Sequence, residues 1–127
     1  MSSYWAKGPR QNKYGNHKVT AIFKGVEVEF DSKREYRRAK ELELMEKAGM
    51  ISKLERQKEY ELIPAFRDAA GRKHRATKYV ADFCYIDMAG NEIIEDVKSE
   101  ATRKDSTYRL KRKMMAYCLG LIIREVE

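Results

Sequence analysis

Two apolar runs joined by a short loop dominate residues 79–98. The runs are rich in Tyr, Val, Phe and Ile, and the loop contains Gly-Asn, a combination that predicts a β-hairpin. Each run carries an acid where a buried strand should be apolar, Asp82 in the first and Asp96 in the second. Burying a carboxylate is costly unless a cation, a metal or a ligand compensates it. The hairpin therefore predicts both a central sheet and a site built on that sheet.

The side chains of the second run divide between the two faces of the hairpin. Because strand side chains alternate, Asp96 and Lys98 share one face, whereas Glu95 and Val97 share the other. Closing the hairpin brings Asp82 close to Asp96 and Lys98. Glu95 is predicted to face away from this group and to be dispensable for it.

Length and charge limit the organisation of the chain. The 127 residues are enough for one domain with a single core. Residues 1–16 are predicted to be a flexible basic arm, which either adds phosphate contacts or is an inert tail, and residues 17–127 to be the domain. The 27 Lys and Arg residues exceed the 20 Asp and Glu residues, a net charge of +7. This excess favours nucleic acid as a partner, with general solubility as the alternative.

The cysteines and the apolar runs indicate the compartment. Cys84 and Cys118 lie in apolar contexts without metal-ligand spacing, so both are predicted to be buried free thiols in a reducing environment. No apolar run approaches the roughly 20 residues of a membrane span, and the N-terminus does not resemble a secretory signal. We therefore expect a cytoplasmic protein that does not enter membranes.

The remaining periodicities predict an α/β sandwich around a mixed sheet flanked by two helices, with an N-terminal β-hairpin. The predicted elements are strands at 19–23 and 26–30, a helix from Ser32 to Ala48, an extended segment at 51–63, polar loops at 65–75 and 99–105, a second helix from about 105 to Gly120 and a last strand at 121–126.

Glu35 lies on the first helix in line with Ala39 and Leu42, on the stripe that should face the core. The ordinary explanation is a capping box, in which Ser32 and Glu35 satisfy backbone groups at the helix start. Gln57, at the centre of the extended segment, is predicted to be a buried side chain that fixes the strand.

The second helix has two apolar faces. One contains Tyr108, Met115, Cys118 and Leu119, and the opposite one contains Leu110, Met114 and Tyr117. Because a small domain can bury only one face against its sheet, the second face predicts a partner, with a homodimer as the candidate. Lys111 lies within the first face, where a lysine ordinarily extends its charged end to solvent.

The arrangement of these residues resembles the PD-(D/E)XK nuclease superfamily. The matching features are Asp82, a spacer of 13 residues, Asp96-x-Lys98 on the next strand, and a preceding helix with Glu35. The resemblance covers about residues 17–126 and implies a restriction-endonuclease-like αβββαβ core. Ala81 stands where the superfamily motif has proline.

The resemblance is closer to a small phage-encoded family that has long been catalogued as of unknown function. The segments that carry it are residues 30–64, YVADFCY and EDVKSEATRKDSTYRLKRKMM. It implies an endonuclease that processes phage or prophage DNA in a bacterial host, with resolution of branched junctions as a candidate activity.

The resemblance also implies a metal site. Asp82 and Asp96 would be the main ligands of Mg²⁺, for which Mn²⁺ could substitute, and the Val97 carbonyl would be a third. Glu35 would bind the metal directly or through water. Such oxygen donors suit Mg²⁺, and a metal ion would promote phosphodiester hydrolysis. The alternative for Asp82 is that it accepts hydrogen bonds from the backbone or a tyrosine.

Two lysines complete the implied catalytic set. Lys98 would orient the attacking water or stabilise charge on the phosphate, and Lys111 resembles a second-helix cation that assists at the phosphate. A surface ion pair between Asp96 and Lys98, worth ~0–1 kcal/mol, is the alternative.

Several cations flank the predicted site in sequence and suit contacts to backbone phosphates. They are Arg34, Arg38, Arg103, Lys104, Arg109 and Arg112. A solvated charged surface is the alternative for each. The sequence thus predicts a Mg²⁺-dependent DNA endonuclease, and the alternative is a non-catalytic nucleic-acid-binding or assembly module that retains the fold.

Overall fold

The computed structural model describes residues 17–127. Its strands are β1 (Val19–Phe23), β2 (Val26–Phe30), β3 (Ser52–Ile63), β4 (Phe66–Arg67), β5 (Lys73–His74), β6 (Thr77–Ile86), β7 (Glu92–Val97) and β8 (Ile123–Val126). Its helices are α1 (Lys33–Lys47), α2 (Glu100–Arg103) and α3 (Ser106–Leu119). The predicted basic arm, residues 1–16, lies outside the described residues.

The central sheet has the order β3-β6-β7-β8. β3, β6 and β7 pair antiparallel in sequence, and β8 joins β7 in parallel after the crossover through α3. When the short elements are set aside, the order is αβββαβ, preceded by the β1-β2 hairpin. The predicted class, a mixed sheet flanked by helices with an N-terminal hairpin, is confirmed.

Local sequence explains where the two long helices begin and end. The Ser32 side chain accepts a hydrogen bond from the Glu35 N–H at the start of α1, and Asp105 does the same for Tyr108 at the start of α3. Gly120 ends α3 with φ of +67°, a conformation that glycine adopts without strain.

Buried side chains form two cores on opposite faces of the sheet. The α1 core consists of Phe23, Phe30, Ala39, Leu42, Ile51, Leu54, Phe83 and Tyr85. The α3 core consists of Tyr60, Leu62, Tyr79, Ala81, Ile94, Tyr108, Met115 and Ile123. One sheet therefore separates the helix that carries Glu35 from the helix that carries Lys111.

Three sequence-based expectations are corrected. The loop predicted at 65–75 contains the paired strands β4 and β5, and the loop predicted at 99–105 contains α2, whose first turn is capped by Ser99. Cys84 is buried as expected, but Cys118 is exposed because α3 turns it away from the core. None of the helices within residues 17–127 is long and apolar enough to cross a membrane.

Candidate active site

Strand β6 changes faces at Asp82. Tyr79 and Ala81 belong to the α3 core, whereas Phe83 and Tyr85 belong to the α1 core. In a regular strand these odd-numbered residues would share one face. An irregularity at Asp82 therefore turns the strand over and places this acid where the two cores meet.

The neighbouring strand β3 changes faces at the position opposite Asp82. Arg56 pairs with Phe83 and Lys58 with Ala81, so Gln57 lies across from Asp82. Gln57 has φ of +55°, a left-handed conformation that is uncommon outside glycine. Its side chain is exposed, so the prediction of a buried Gln57 is wrong. Gln57 contributes the backbone reversal, and its side-chain amide donates a long hydrogen bond to the Glu35 Oε1 at 3.5 Å.

From Asp82 toward the start of β6, hydrogen bonds from carboxylates replace the backbone hydrogen bonds between β6 and β7. The last paired residues on this side are Phe83 and Glu95. The Asp82 Oδ2 then accepts a hydrogen bond from the Val97 N–H at 2.8 Å, and the Asp96 Oδ1 accepts one from the Asp82 N–H at 2.9 Å. The two strands separate, and the two acids are held in the gap between them.

Asp96 is almost completely buried, with 1% of its surface exposed. Its Oδ2 accepts a hydrogen bond from the Tyr79 hydroxyl and lies 3.7 Å from the Lys98 Nζ. Burial raises the pKa of Asp96 to about 6, and the nearby ammonium of Lys98 only partly opposes this rise. The Lys98 Nζ lies 4.3 Å from the centre of the Tyr108 ring, which fixes the lysine over an aromatic face.

Glu35 reaches the same region from α1. Its Oε2 accepts a hydrogen bond from the Asp31 N–H at 3.0 Å, and its Oε1 lies 3.7 Å from the Arg56 Nη2. Burial first, and then the negative charge of Asp82, raise the pKa of Glu35 to about 7. In a capping box the glutamate would bind the Ser32 N–H, so this contact with Asp31 departs from the box by one residue.

The electrostatics of the three acids suit a divalent cation. Burial also raises the pKa of Asp82, and the Val97 hydrogen bond and Lys98 lower it less than burial raises it. Desolvated carboxylates that destabilise one another gain when a cation arrives, and Mg²⁺ is commonly held by one or two carboxylates and waters. No three Asp, Glu, His or Cys side chains among residues 17–127 converge on a ready-made metal position. A metal site with Asp82 and Asp96 as its protein carboxylates therefore stays a prediction.

Glu95 points to the other face, as predicted, but it has a structural role that the sequence did not reveal. It is fully buried and accepts hydrogen bonds from the Arg38 Nε at 2.8 Å and Nη2 at 2.7 Å. The Tyr85 hydroxyl donates a third. Arg38, expected to contact phosphates, is thus engaged inside the protein, and this ion pair raises its pKa further.

The other predicted cations differ in their availability. Arg34 and Arg109 are exposed. Arg103 and Arg112 form ion pairs with Glu125, and Lys104 forms one with Glu100.

Lys111 is half-buried on α3. Within residues 17–127 it forms no ion pair with Glu35, Asp82 or Asp96. The structure thus brings together Glu35, Asp82, Asp96 and Lys98 and leaves Lys111 outside their hydrogen-bonding network.

The second apolar face of α3 is only partly on the surface, because Met114 packs against the α3 core. Leu110 and Tyr117 are exposed, as is the neighbouring Ile122. A homodimer through this helix stays a prediction.

Sequence reasoning missed the two tyrosines of the site. Tyr79 bonds Asp96, and Tyr108 supports Lys98 with its ring while its hydroxyl donates to Glu125 at 2.5 Å. Tyr79 lies three residues before Asp82, but its partner is 17 residues away. Only the pairing of β6 with β7 shows the contact.

Residues 11–124 match the model of a family described as a protein of unknown function, DUF1064. Because the match covers most of the chain, the chain belongs to this family. Neither the curated proteins nor the solved structures include a significant match to it.

Proposed function

We propose that this DUF1064 protein is a divalent-metal-dependent DNA endonuclease that hydrolyses phosphodiester bonds. The observation that carries the proposal is the group of three acids where β6 changes faces, of which Glu35 and Asp96 are buried and Asp82 is half-buried. Glu35 from α1, Asp82 from β6 and Asp96 from β7 all have raised pKa values. Stable folds rarely maintain several buried acids without full neutralisation unless the acids have a function.

Asp82, Asp96 and the Val97 carbonyl would hold Mg²⁺ or Mn²⁺, with Glu35 directly bound or one water away. A bound metal ion at this position supplies a nucleophilic water at neutral pH and neutralises charge on the phosphate. The Val97 and Asp82 N–H groups fix one oxygen of each aspartate. The carboxylates are therefore positioned before any ligand binds, which reduces the reorganisation that binding requires.

Lys98 would act on the reacting phosphate or on the attacking water. Its Nζ lies between the Asp96 carboxylate and the Tyr108 ring, and 21% of its side chain is exposed. A lysine that is held in place and still accessible can orient a water or stabilise developing negative charge. As an ammonium it donates hydrogen bonds, and it would have to lose a proton before acting as a base.

The charge of the chain favours a polyanionic substrate. Arg34 and Arg109 are exposed, and the whole chain has a net charge of +7. Such cations bind backbone phosphates without reading the bases. We infer a role in phage or prophage DNA processing in the cytoplasm of a bacterial host, with branched junctions as candidate substrates.

The test is cleavage of linear, supercoiled and four-way-junction DNA in the presence of Mg²⁺, Mn²⁺ or EDTA. Cleavage with either metal, lost in EDTA and in Lys98→Ala, supports the proposal. Absence of cleavage of every substrate with both metals contradicts it.

A non-catalytic nucleic-acid-binding module is the second candidate. The observation in its favour is that three acidic side chains do not converge on one metal position within residues 17–127. DNA binding that is unchanged by Mg²⁺ and never followed by cleavage would favour this alternative.

A further inference from the structure

A separate basic hairpin projects from the end of the central sheet. Residues 64–76 connect β3 to β6, and within them β4 and β5 pair antiparallel, Phe66 with His74 and Arg67 with Lys73. Together with the first two residues of β6, Thr77 and Lys78, they form the segment that we call the basic tongue, residues 64–78. Its side chains belong to neither of the two cores, so burial of apolar surface does not explain its sequence.

The turn of the tongue is ordered by its single acid. The Asp68 Oδ1 accepts hydrogen bonds from the Ala70 N–H at 2.9 Å and the Arg72 N–H at 3.0 Å, and its Oδ2 pairs with the His74 Nε2 at 2.8 Å. These bonds lower the pKa of Asp68. The Arg67 guanidinium also donates to the Gly71 carbonyl at 2.9 Å. The tongue therefore has a defined shape despite its exposure.

The charge of the tongue is strongly one-sided. Its cations are Arg67, Arg72, Lys73, Arg75 and Lys78, and its only acid, Asp68, is used within the turn. Arg72, Lys73 and Arg75 are exposed, and their side chains form no ion pair within the described part of the chain. Like charges gathered this closely repel one another, which disfavours the arrangement unless an anion binds there.

An aromatic pair lies on the same hairpin. The Phe66 and His74 rings stack with their centres 4.7 Å apart and their planes 13° apart. Phe66 remains 48% exposed. An exposed flat ring surface beside several cations is the combination that proteins use to bind single strands, since bases stack on the rings while cations contact the phosphates.

We infer that the basic tongue binds single-stranded DNA, or the unpaired strand of a branched DNA. The choice of DNA as the polyanion rests on the proposed function, whereas the preference for unpaired bases rests on the Phe66–His74 pair. In a duplex the bases are already stacked and cannot reach these rings.

The tongue and the candidate active site can contact one DNA. Thr77, at the base of the tongue, precedes Asp82 by five residues of the same strand. At ~3.3 Å per residue this separation is about 16 Å, or roughly five nucleotide steps of a B-form strand at ~3.4 Å each. This separation is short enough for one DNA strand to reach both the tongue and the candidate active site.

Binding of fluorescein-labelled oligonucleotides in EDTA, followed by anisotropy, tests the inference independently of cleavage. The probes are oligo-dT and a duplex of equal length. Arg72→Glu/Lys73→Glu should weaken oligo-dT binding about tenfold or more and reduce the slope of log K against log salt by roughly 1.4. The matched control is Lys47→Glu/Lys53→Glu, which makes the same charge change at exposed positions outside the tongue.

The aromatic pair is tested by Phe66→Ala. Loss of one stacked base should weaken oligo-dT binding by about 5- to 150-fold and should change duplex binding much less. Because the tongue lies outside both cores, these variants should keep the wild-type melting temperature, which checks that they fold.

Each outcome decides the inference. It is overturned if the wild type binds neither probe, if the tongue variants bind oligo-dT as tightly as the wild type does, if they lose duplex binding as much as oligo-dT binding, or if the control double variant loses as much affinity as the tongue variant. Tongue-dependent binding of oligo-dT without cleavage would support the inference and contradict the proposed nuclease function.

Discussion

Two neighbouring acids on β7, Glu95 and Asp96, are both buried, but they have opposite surroundings. Glu95 faces the α1 core and has a full partner in Arg38, which binds both of its oxygens, and in the Tyr85 hydroxyl. Asp96 faces the α3 core and accepts hydrogen bonds from the Tyr79 hydroxyl and the Asp82 N–H, but its cation is a single ammonium, that of Lys98, at 3.7 Å. Its pKa is raised to about 6.

Glu95 is therefore an acid whose ion pair stabilises the fold, whereas Asp96 is an acid whose negative charge is incompletely neutralised. Glu95 forms a bidentate pair of the geometry that buried charges need. Asp96 adjoins a second acid, Asp82, whose N–H it binds, and the charge of Asp82 also raises the pKa of Glu35. We attribute the missing positive charge on the Asp96 side to a metal ion and a phosphate.

The largest expected effect is on cleavage by Asp96→Asn. Loss of a metal-binding carboxylate should reduce the cleavage rate at least about a thousandfold, since metal ions supply several kcal/mol of transition-state stabilisation. Glu95→Gln should retain cleavage per folded molecule. Rates measured on supercoiled plasmid, normalised to the folded fraction, check this prediction. Equal rates for Asp96→Asn and the wild type would show that the site is misassigned.

The free energy of unfolding should show the reverse order: Glu95→Gln should lower it, and Asp96→Asn should not. Glu95→Gln removes the buried bidentate partner of the Arg38 guanidinium and leaves it only the longer ion pair with Glu41 at 3.8 Å. Breaking such a buried pair costs about 3–5 kcal/mol. Asp96→Asn removes a poorly neutralised charge and should leave the free energy of unfolding unchanged or higher. Urea denaturation at pH 8 without divalent metal measures both values. A loss for Asp96→Asn as large as that for Glu95→Gln would contradict the contrast.

The free energy of unfolding should also depend on pH, because Glu35 titrates at a different pH in the folded and unfolded states. Glu35 has a folded-state pKa of about 7 against an ordinary 4.5, so between these values the native state binds more protons than the unfolded state. The contribution of Glu35 to the free energy of unfolding is therefore fully present below about pH 4.5. It is lost as the pH rises through about 7, a decrease of roughly 1–3 kcal/mol. Urea midpoints from pH 5 to 8 measure the decrease.

The control for the pH effect is Glu35→Gln, which keeps an acceptor for the Asp31 N–H and removes the titrating group. Its midpoints should change less with pH than those of the wild type. Identical pH profiles for the two proteins would assign the dependence to other residues.

The smallest expected effect is a difference in metal requirement between variants of two buried tyrosines. Tyr79 donates a hydrogen bond to Asp96, and Tyr85 donates one to Glu95. Tyr79→Phe and Tyr85→Phe should each destabilise the fold by about 1.5–3 kcal/mol, because each removes a bond to a charged group. Only Tyr79→Phe should also change the metal concentration needed for half-maximal cleavage. A change of equal size in Tyr85→Phe would remove the distinction between the two faces.

Much of the fold follows from local sequence signals. The N-terminal hairpin, α1 and α3 have the predicted positions because alternation, the Ser32 and Asp105 caps and the terminal glycines act within a few residues. The predicted face of Asp96 and Lys98 is also correct, since strand alternation requires no tertiary information. The separation of Glu95 from this group followed from the same rule.

What the sequence could not show depends on contacts between distant residues. Arg38 resembled a solvent-facing cation, and only its position opposite a residue 57 places later reveals the buried ion pair. The face switch depends on the left-handed backbone at Gln57, which ordinary propensities do not predict. The sequence predicts a loop at 65–75 because β4 and β5, with two residues each, are too short to show strand alternation.

The central claim is that the acids around Asp96 form a binding site for a divalent cation, and calorimetric titration of Mg²⁺ into the protein at pH 8 tests it directly. We predict a binding isotherm for the wild type that is retained in Glu27→Gln, a change at an exposed acid on β2, and that is lost in Asp82→Asn and Asp96→Asn. Absence of Mg²⁺ binding to the wild type, or equal binding to all four proteins, would contradict the claim.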